Sequence, residues 1–287
     1  MKKVVLITGT SSGLGLEAAL LYAKNNHRVF ATMRNLEKSV TLLEKAKEVG
    51  VNVDILQLDV TDTASIQNCI DQVIEQAGRI DILVNNAGAG FAKTTEHATE
   101  EEIQWVTDVN YFGVVRCTKA VLMHMRKQQS GHVINISSVG GLVGQPFNEL
   151  YCAAKFAVEG YTEGLATYLT SKFGIQFSIV EPGGIVSDFM TSAMQKTVTN
   201  GELTIEPYQS ILEKYMTGIR ERAASGESQV YQTAEQVAKV VFDVSQKSNP
   251  PLRVRTSGWA EEFCRFKTQA DPDGTKQVED VIKKFLT

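Results

Sequence analysis

Short, continuously apolar runs alternate with longer amphipathic segments over the first two thirds of the chain. KVVLITGT, RVFATMR, VDILQLDV, IDILVNNAG, HVINISS and QFSIVEPGG each read as a strand, rich in β-branched residues and without alternation of apolar and polar positions. Between them, apolar residues three and four apart predict helices over Leu14–Asn25, Leu36–Val49, Ser65–Gln76, Glu100–Arg126 and Tyr151–Lys172. Strands that are apolar on both faces suit a parallel sheet covered by helices on both sides. The βαβα order therefore predicts an α/β protein with a doubly wound, mostly parallel sheet of the Rossmann type.

After Pro182-Gly183-Gly184 the pattern changes. Residues 187–232 are polar, with helical spacing at Tyr208–Ala224. Ala234–Ser245 reads as a further helix, and LRVRTS as a last short strand. No linker, repeat or composition break marks a second unit. The expectation is one domain over 1–287, with 187–232 inserted as a helical substrate lid over the carboxyl ends of the strands, where such sheets bind ligands.

Composition narrows the function classes. Of the 287 residues 43% are hydrophobic and 22% charged, the balance of a globular protein. A net charge of −4 without a basic block gives no reason to expect nucleic-acid binding. The Val4–Ile7 run is too short for a signal-peptide core, and no uninterrupted apolar segment is long enough to span a bilayer. The four cysteines are scattered without C-x-x-C or zinc-like spacing, so they read as reduced thiols, and neither a metal nor a disulfide framework is expected. The expected location is the cytoplasm.

Candidate chemistry begins at Thr8-Gly9-Thr10-Ser11-Ser12-Gly13-Leu14-Gly15, which joins the first strand to the first helix. Gly9 permits the turn, Gly13 lets backbone approach a phosphate and Gly15 lets the helix pack close to the sheet. Gly9, Ser11, Ser12, Gly13, Leu14 and Gly15 form the candidate cradle; a plain glycine-rich turn is the alternative. Leu14-Gly15 stands where a P-loop carries Lys-Ser/Thr, which excludes that class. The second strand ends in Arg34 with no acid beside it. A guanidinium pairs with a 2′-phosphate, so NADP(H) is favoured over NAD(H), with Ser11 as a further donor; a solvated arginine is the bland reading. Tyr151 and Lys155 stand at i and i+4, on one helix face. That spacing serves a surface contact or an acid–base pair, in which the ammonium favours the phenolate. Ser138 ends the fifth strand, where a hydroxyl can hold a substrate oxygen; Ser137 reads as a turn or cap residue. Asn110 interrupts a helical run, either facing solvent or marking a kink whose freed carbonyl holds a water behind Lys155.

These residues together resemble the short-chain dehydrogenase/reductases, over about residues 3–190. The resemblance rests on TGTSSGLG, LDV (58–60), NNAG (85–88), Asn110, Ser138, YCAAK and PGGIVS, in order and at the family's spacing. It implies that Asn110, Ser138, Tyr151 and Lys155 form a catalytic tetrad. It also implies that Asp59 and Val60 hold adenine, that Asn86, Ala87 and Gly88 line the cofactor with Tyr151 and Lys155, and that Pro182, Gly183, Ile185 and Ser187 meet the nicotinamide carboxamide. The segment SVGGLVGQPFNELYCAAKFAVEGYTEGLA and ATMRN look like the 17β-hydroxysteroid and retinol dehydrogenase branch. That implies an oxidoreductase acting on a hydrophobic alcohol, ketone or aldehyde, and a homodimer or homotetramer formed through the helices of 105–126 and 151–172. Val139 to Val143, Phe147, Phe189 and Met190 are candidate substrate contacts. The histidine with which estrogen-active relatives grip the distal hydroxyl is missing, since all four histidines precede residue 133. A catalytically silent NADP-binding sensor or scaffold on the same fold is the alternative.

Overall fold

A computed structural model describes residues 2–186, 206–224 and 231–286. Seven strands form one sheet: β1 (Val4–Thr8), β2 (Arg28–Met33), β3 (Asp54–Gln57), β4 (Ile82–Asn85), β5 (Gly131–Ile136), β6 (Ile175–Glu181) and β9 (Arg253–Arg255). Their order is β3-β2-β1-β4-β5-β6-β9, with every neighbouring pair parallel. The order in which successive strands are added reverses between β1 and β4, which opens a crevice at their carboxyl ends, the usual ligand position in such sheets.

The unbroken apolar strands have a direct cause. In β1 all five residues are buried, because both faces of the sheet are covered. Val5 and Ile7 pack with α1 (Gly13–Lys24), α2 (Val40–Glu48) and the later helix α8 (Ala234–Gln246). Leu6 and Leu83 point the other way, into a cluster with α3 (Thr63–Ala77), α5 (Gly113–Gln128) and α6 (Glu149–Phe173).

Three departures from the sequence expectation matter for the site. The run Glu100–Arg126 is not one helix: α4 (Glu100–Thr107) passes through a π turn at Asp108–Phe112 before α5 begins. Leu36–Ser39 forms a 3-10 turn ahead of α2. Two short strands, β7 (Gly184–Ile185) and β8 (Tyr231–Gln232), pair in parallel, a pairing that two-residue segments cannot announce by periodicity.

Of the expected lid, 187–205 and 225–230 lie outside the described residues, and with them Ser187, Phe189 and Met190. The described part, α7 (Gln209–Ala224), packs Leu212 against Phe147. Near it, Tyr208 donates to Glu96 Oε2 at 2.6 Å and Asn148 Nδ2 donates to the Tyr215 hydroxyl at 3.3 Å. The remaining helices among the described residues are α9 (Gly258–Thr268) and α10 (Thr275–Phe285). No helix among the described residues is long and apolar enough to cross a membrane.

Candidate active site

The turn from β1 to α1 is shaped by what its glycines leave out. Gly9 has φ +71°, and a Cβ there would come within 2.8 Å of Ala87 Cα. A Cβ on Gly15 would stand 2.2 Å from Gly9 O, so α1 packs against the turn only without a side chain at that position. Asn86 ties the turn down, donating from Nδ2 to Thr8 O at 2.9 Å and Gly9 O at 2.8 Å. Thr8 Oγ1 in return accepts from the N–H of Asn86 and Ala87. The Asn86 side chain is therefore committed to bracing the turn.

Ser12 precedes α1 in extended conformation and makes no side-chain cap, so the first turn of that helix keeps its N–H groups available. This is the arrangement an anionic phosphate completes. Ser11 and Gly13 flank it, while Leu14 is buried in the core. Arg34 is exposed just past β2, and its guanidinium makes no hydrogen bond or ion pair among the described residues. Asp59 is held by its neighbours: Oδ1 accepts from Thr61 N at 2.9 Å and Thr61 Oγ1 at 2.7 Å. Val60 packs against Gly113. Glycines, an open helix terminus and a free cation beside β2 fit a dinucleotide carrying phosphate charge.

Further along the same edge, α6 brings Tyr151 and Lys155 to the end of β5. The Ser138 hydroxyl is close enough to act on the Tyr151 phenol, favouring its charged form, and Ser138 Oγ accepts from Gly140 N at 3.0 Å. Lys155 is 4% exposed; its Nζ donates to Ile136 O at 3.0 Å and lies 5.7 Å from the Tyr151 ring centroid. Burial pulls the Lys155 ammonium down to about 8, and the charge of Glu159 partly offsets it. Burial pushes the Tyr151 phenol above its ordinary value, with the neighbouring Ser138 hydroxyl opposing. Lys155 alone therefore does not make a phenolate, and Tyr151 stands as a protonated acid.

Asn110 is buried in the π turn rather than facing solvent. It donates from Nδ2 to Ala89 O and Val106 O, each at 2.9 Å, and accepts from Ala89 N at 3.1 Å. This staples the loop after β4 to α4. A Cβ on Gly88 would meet Asn110 Oδ1 at 3.0 Å and Lys155 Nζ at 3.7 Å, which places that loop, the π turn and the lysine around one point. Pro182 O accepts from Val139 N at 2.9 Å, and Gly183 and Ile185 continue from it along the rim. Val139, Leu142 and Val143 pack with Trp259, Ala260 and Cys264 of α9, so a packing role accounts for them without a substrate. Sequence reading passed over Thr8, the ladder Thr118–Asn85–Asn135–Thr162 across α5, β4, β5 and α6, and a group of buried charges beneath the site. The available signal for the last was a lone Glu181 closing an apolar strand.

A profile of the short chain dehydrogenase family matches residues 3–198. The chain belongs to that family. It is 38% identical over 282 residues to retinol dehydrogenase 8 of Bos taurus, covering 96% of this chain and 88% of the relative. It is 35% identical over 287 residues to 17-beta-hydroxysteroid dehydrogenase type 1 of Homo sapiens, covering 96% and 84%. Its fold superposes on an actinorhodin polyketide ketoreductase variant solved with NADPH, at a TM-score of 0.77 and 30% identity, covering 90% of this chain and 97% of that one. As a short-chain dehydrogenase of this branch, the protein is an oxidoreductase acting on CH–OH groups with a nicotinamide cofactor.

Proposed function

We propose that the protein interconverts a hydrophobic alcohol and its ketone or aldehyde, using NADP(H), with Tyr151 as general acid and base. The observation that carries this is the convergence of Tyr151 and Ser138 at the sheet's carboxyl edge, with the buried Lys155 Nζ 5.7 Å from the Tyr151 ring centroid. The bound cofactor supplies or accepts the hydride. Ser138 holds the substrate oxygen, where negative charge grows during reduction. Tyr151, kept protonated by burial, delivers a proton to that oxygen, and takes it back in the oxidative direction. Lys155, fixed by Ile136 O, holds positive charge against the developing phenolate. Asn110 fixes the loop of Ala87 and Gly88, and Arg34 meets the 2′-phosphate of NADP(H).

The names of the two relatives point to apolar alcohols and ketones, and the Phe147, Leu212 and Tyr215 cluster beside α6 supplies an apolar wall for them. The lid is taken as 187–232, and association through α5 and α6 as a dimer or tetramer.

A screen of NADPH consumption over aldehydes, ketones, steroids and retinal finds the substrate. Tyr151→Phe then keeps cofactor binding and loses at least about a hundredfold in turnover, the lower range for a proton-transfer group. Wild-type turnover in that variant would sink the mechanism. NADPH binding without reduction of any compound in the panel favours a sensor.

A further inference from the structure

Below the site lies a cluster of charge that the mechanism does not use. Glu159 is 4% exposed and Glu181 0%. Arg253 Nε lies 3.3 Å from Glu159 Oε2 and 3.7 Å from Glu181 Oε1, and its Nη2 is 2.7 Å from Glu163 Oε2. Arg255 reaches Glu181 Oε2 at 3.1 Å and Glu261 Oε2 at 2.8 Å, and donates to Pro272 O at 2.6 Å. Two guanidiniums therefore serve four carboxyl groups, and Arg253 Nε stands between the two most deeply buried, Glu159 and Glu181.

As carboxylates both would be acceptors only. Oε1 of Glu159 and Oε1 of Glu181 are shut off from solvent, and no standing hydrogen bond reaches either. Ser137 Oγ stands beside Glu159 Oε1 and Arg253 Nε lies 3.7 Å from Glu181 Oε1, so the cost that remains is that of two buried anions on one guanidinium. A single proton on the pair removes that repulsion.

The position of the pair gives it a task. Tyr151, Lys155 and Glu159 stand at i, i+4 and i+8 on one stripe of α6. Glu181 immediately precedes Pro182, whose carbonyl holds Val139 N. Ser137, next to Ser138, shares a crowded spot with Glu159: a Cβ on Gly141 would stand 2.5 Å from Ser137 Oγ and 2.9 Å from Glu159 Oε1. The cluster thus joins α6 to the ends of β5, β6 and β9, one layer beneath the site.

We propose that Glu159 and Glu181 share one proton, and that this pair, held by Arg253 and Arg255, is a positioning element that seats α6 so that Tyr151 meets Ser138. The groups facing the pair are Lys155 and Glu163 on α6, Arg253 and Arg255 on β9, Glu261 and Cys264 on α9, and Ser137 at the end of β5. Burial and the Glu159 charge lift the Glu181 carboxyl to about 9, against the opposing arginines. A carboxyl raised in the folded state binds a proton that the unfolded chain has lost. Stability from it is therefore full below the ordinary carboxyl value and declines as pH rises towards about 9.

The positioning role rests on the Tyr151 assignment; the shared proton does not. Two measurements on the full chain need no substrate. Infrared spectra of wild type show a protonated-carboxyl C=O band at neutral pH that disappears above about 9 and is absent in E181Q. The melting temperature of wild type falls more steeply with rising pH than that of E181Q, whose amide is a permanent donor. A missing band, or parallel slopes, overturns the shared proton. Turnover of the substrate found by the screen tests positioning. E181A loses about a hundredfold in kcat, the scale of a 1 Å misplacement, with NADPH affinity kept, and E181Q restores most of it. Because E181A risks misfolding, E159Q provides a second arm. It keeps the shape, removes the anion that supports the Lys155 charge, and moves the alkaline limb of the kcat profile to lower pH. Full turnover in E181A, or an unmoved limb in folded E159Q, overturns the positioning role.

Discussion

Lys155 sits under opposing demands: in the proposed mechanism its charge supports Tyr151, while its burial disfavours that charge. With the ammonium brought down to about 8, turnover in the reductive direction should fall as pH rises through that value, as the support for the departing phenolic proton is lost. The stability sign is opposite to that of Glu181. A base whose folded value is depressed carries its full cost below that value, and the cost fades between about 8 and the ordinary lysine value. Lys155→Met should therefore gain stability at neutral pH, up to the order of 2–3 kcal/mol, while losing activity; a calorimetric scan beside a turnover assay checks both. Arg34 supports an independent test. If it meets a 2′-phosphate, Arg34→Ala weakens NADPH by roughly 10- to 100-fold, the value of a charge-assisted hydrogen bond, and leaves NADH nearly unchanged. A fluorescence titration with both nucleotides reads the ratio, and equal losses would reject the pairing.

Elements decide which residues the sequence could disclose. The Tyr151 and Lys155 pairing was legible because i and i+4 share a helix face wherever that helix sits. The glycine turn was legible because the residue types carry their own backbone demands. Asn110 was half-legible: it stood out as a poor helix former, but its bonds to Ala89 and Val106 depend on a π turn that no 3.6-residue periodicity encodes. Glu181 stood out only as a lone acid closing an apolar strand, and its meeting with Arg253 and Glu159 depends on β6 lying beside β5 and β9. The π turn makes a specific claim. Asn110→Leu strips three hydrogen bonds from the half-buried Ala89 and the buried Val106, and unsatisfied backbone groups cost about 1–3 kcal/mol each when buried. Its melting temperature should drop by several degrees, and turnover should fall further than stability alone explains, because the loop of Ala87 and Gly88 loses its anchor. A surface role for Asn110 predicts no change in either.

Across the whole molecule, strand order converts scattered motifs into one place. The first and fourth strands part at the switch point, so the glycine turn, the loop after β4, Ser138 and Pro182 all arrive at one sheet edge, although they are spread over most of the chain. The outer face of the same helices is the surface that the family resemblance marks for association. Phe112, at the end of the π turn, and Met123 on α5 are both 46% exposed. They stand eleven residues apart, close to three helical turns, and so share one side of the helix. A second copy meeting that side buries apolar area at about 25 cal/mol per Å², whereas an arginine there must be desolvated without a partner. Met123→Arg should leave the monomer's fold intact, since nothing buried is disturbed, and should shift sedimentation of the protein from dimer or tetramer towards monomer. Its melting temperature should then lose the dependence on protein concentration that an oligomer shows. An unchanged sedimentation coefficient in Met123→Arg, with wild type oligomeric, would move the interface away from α5.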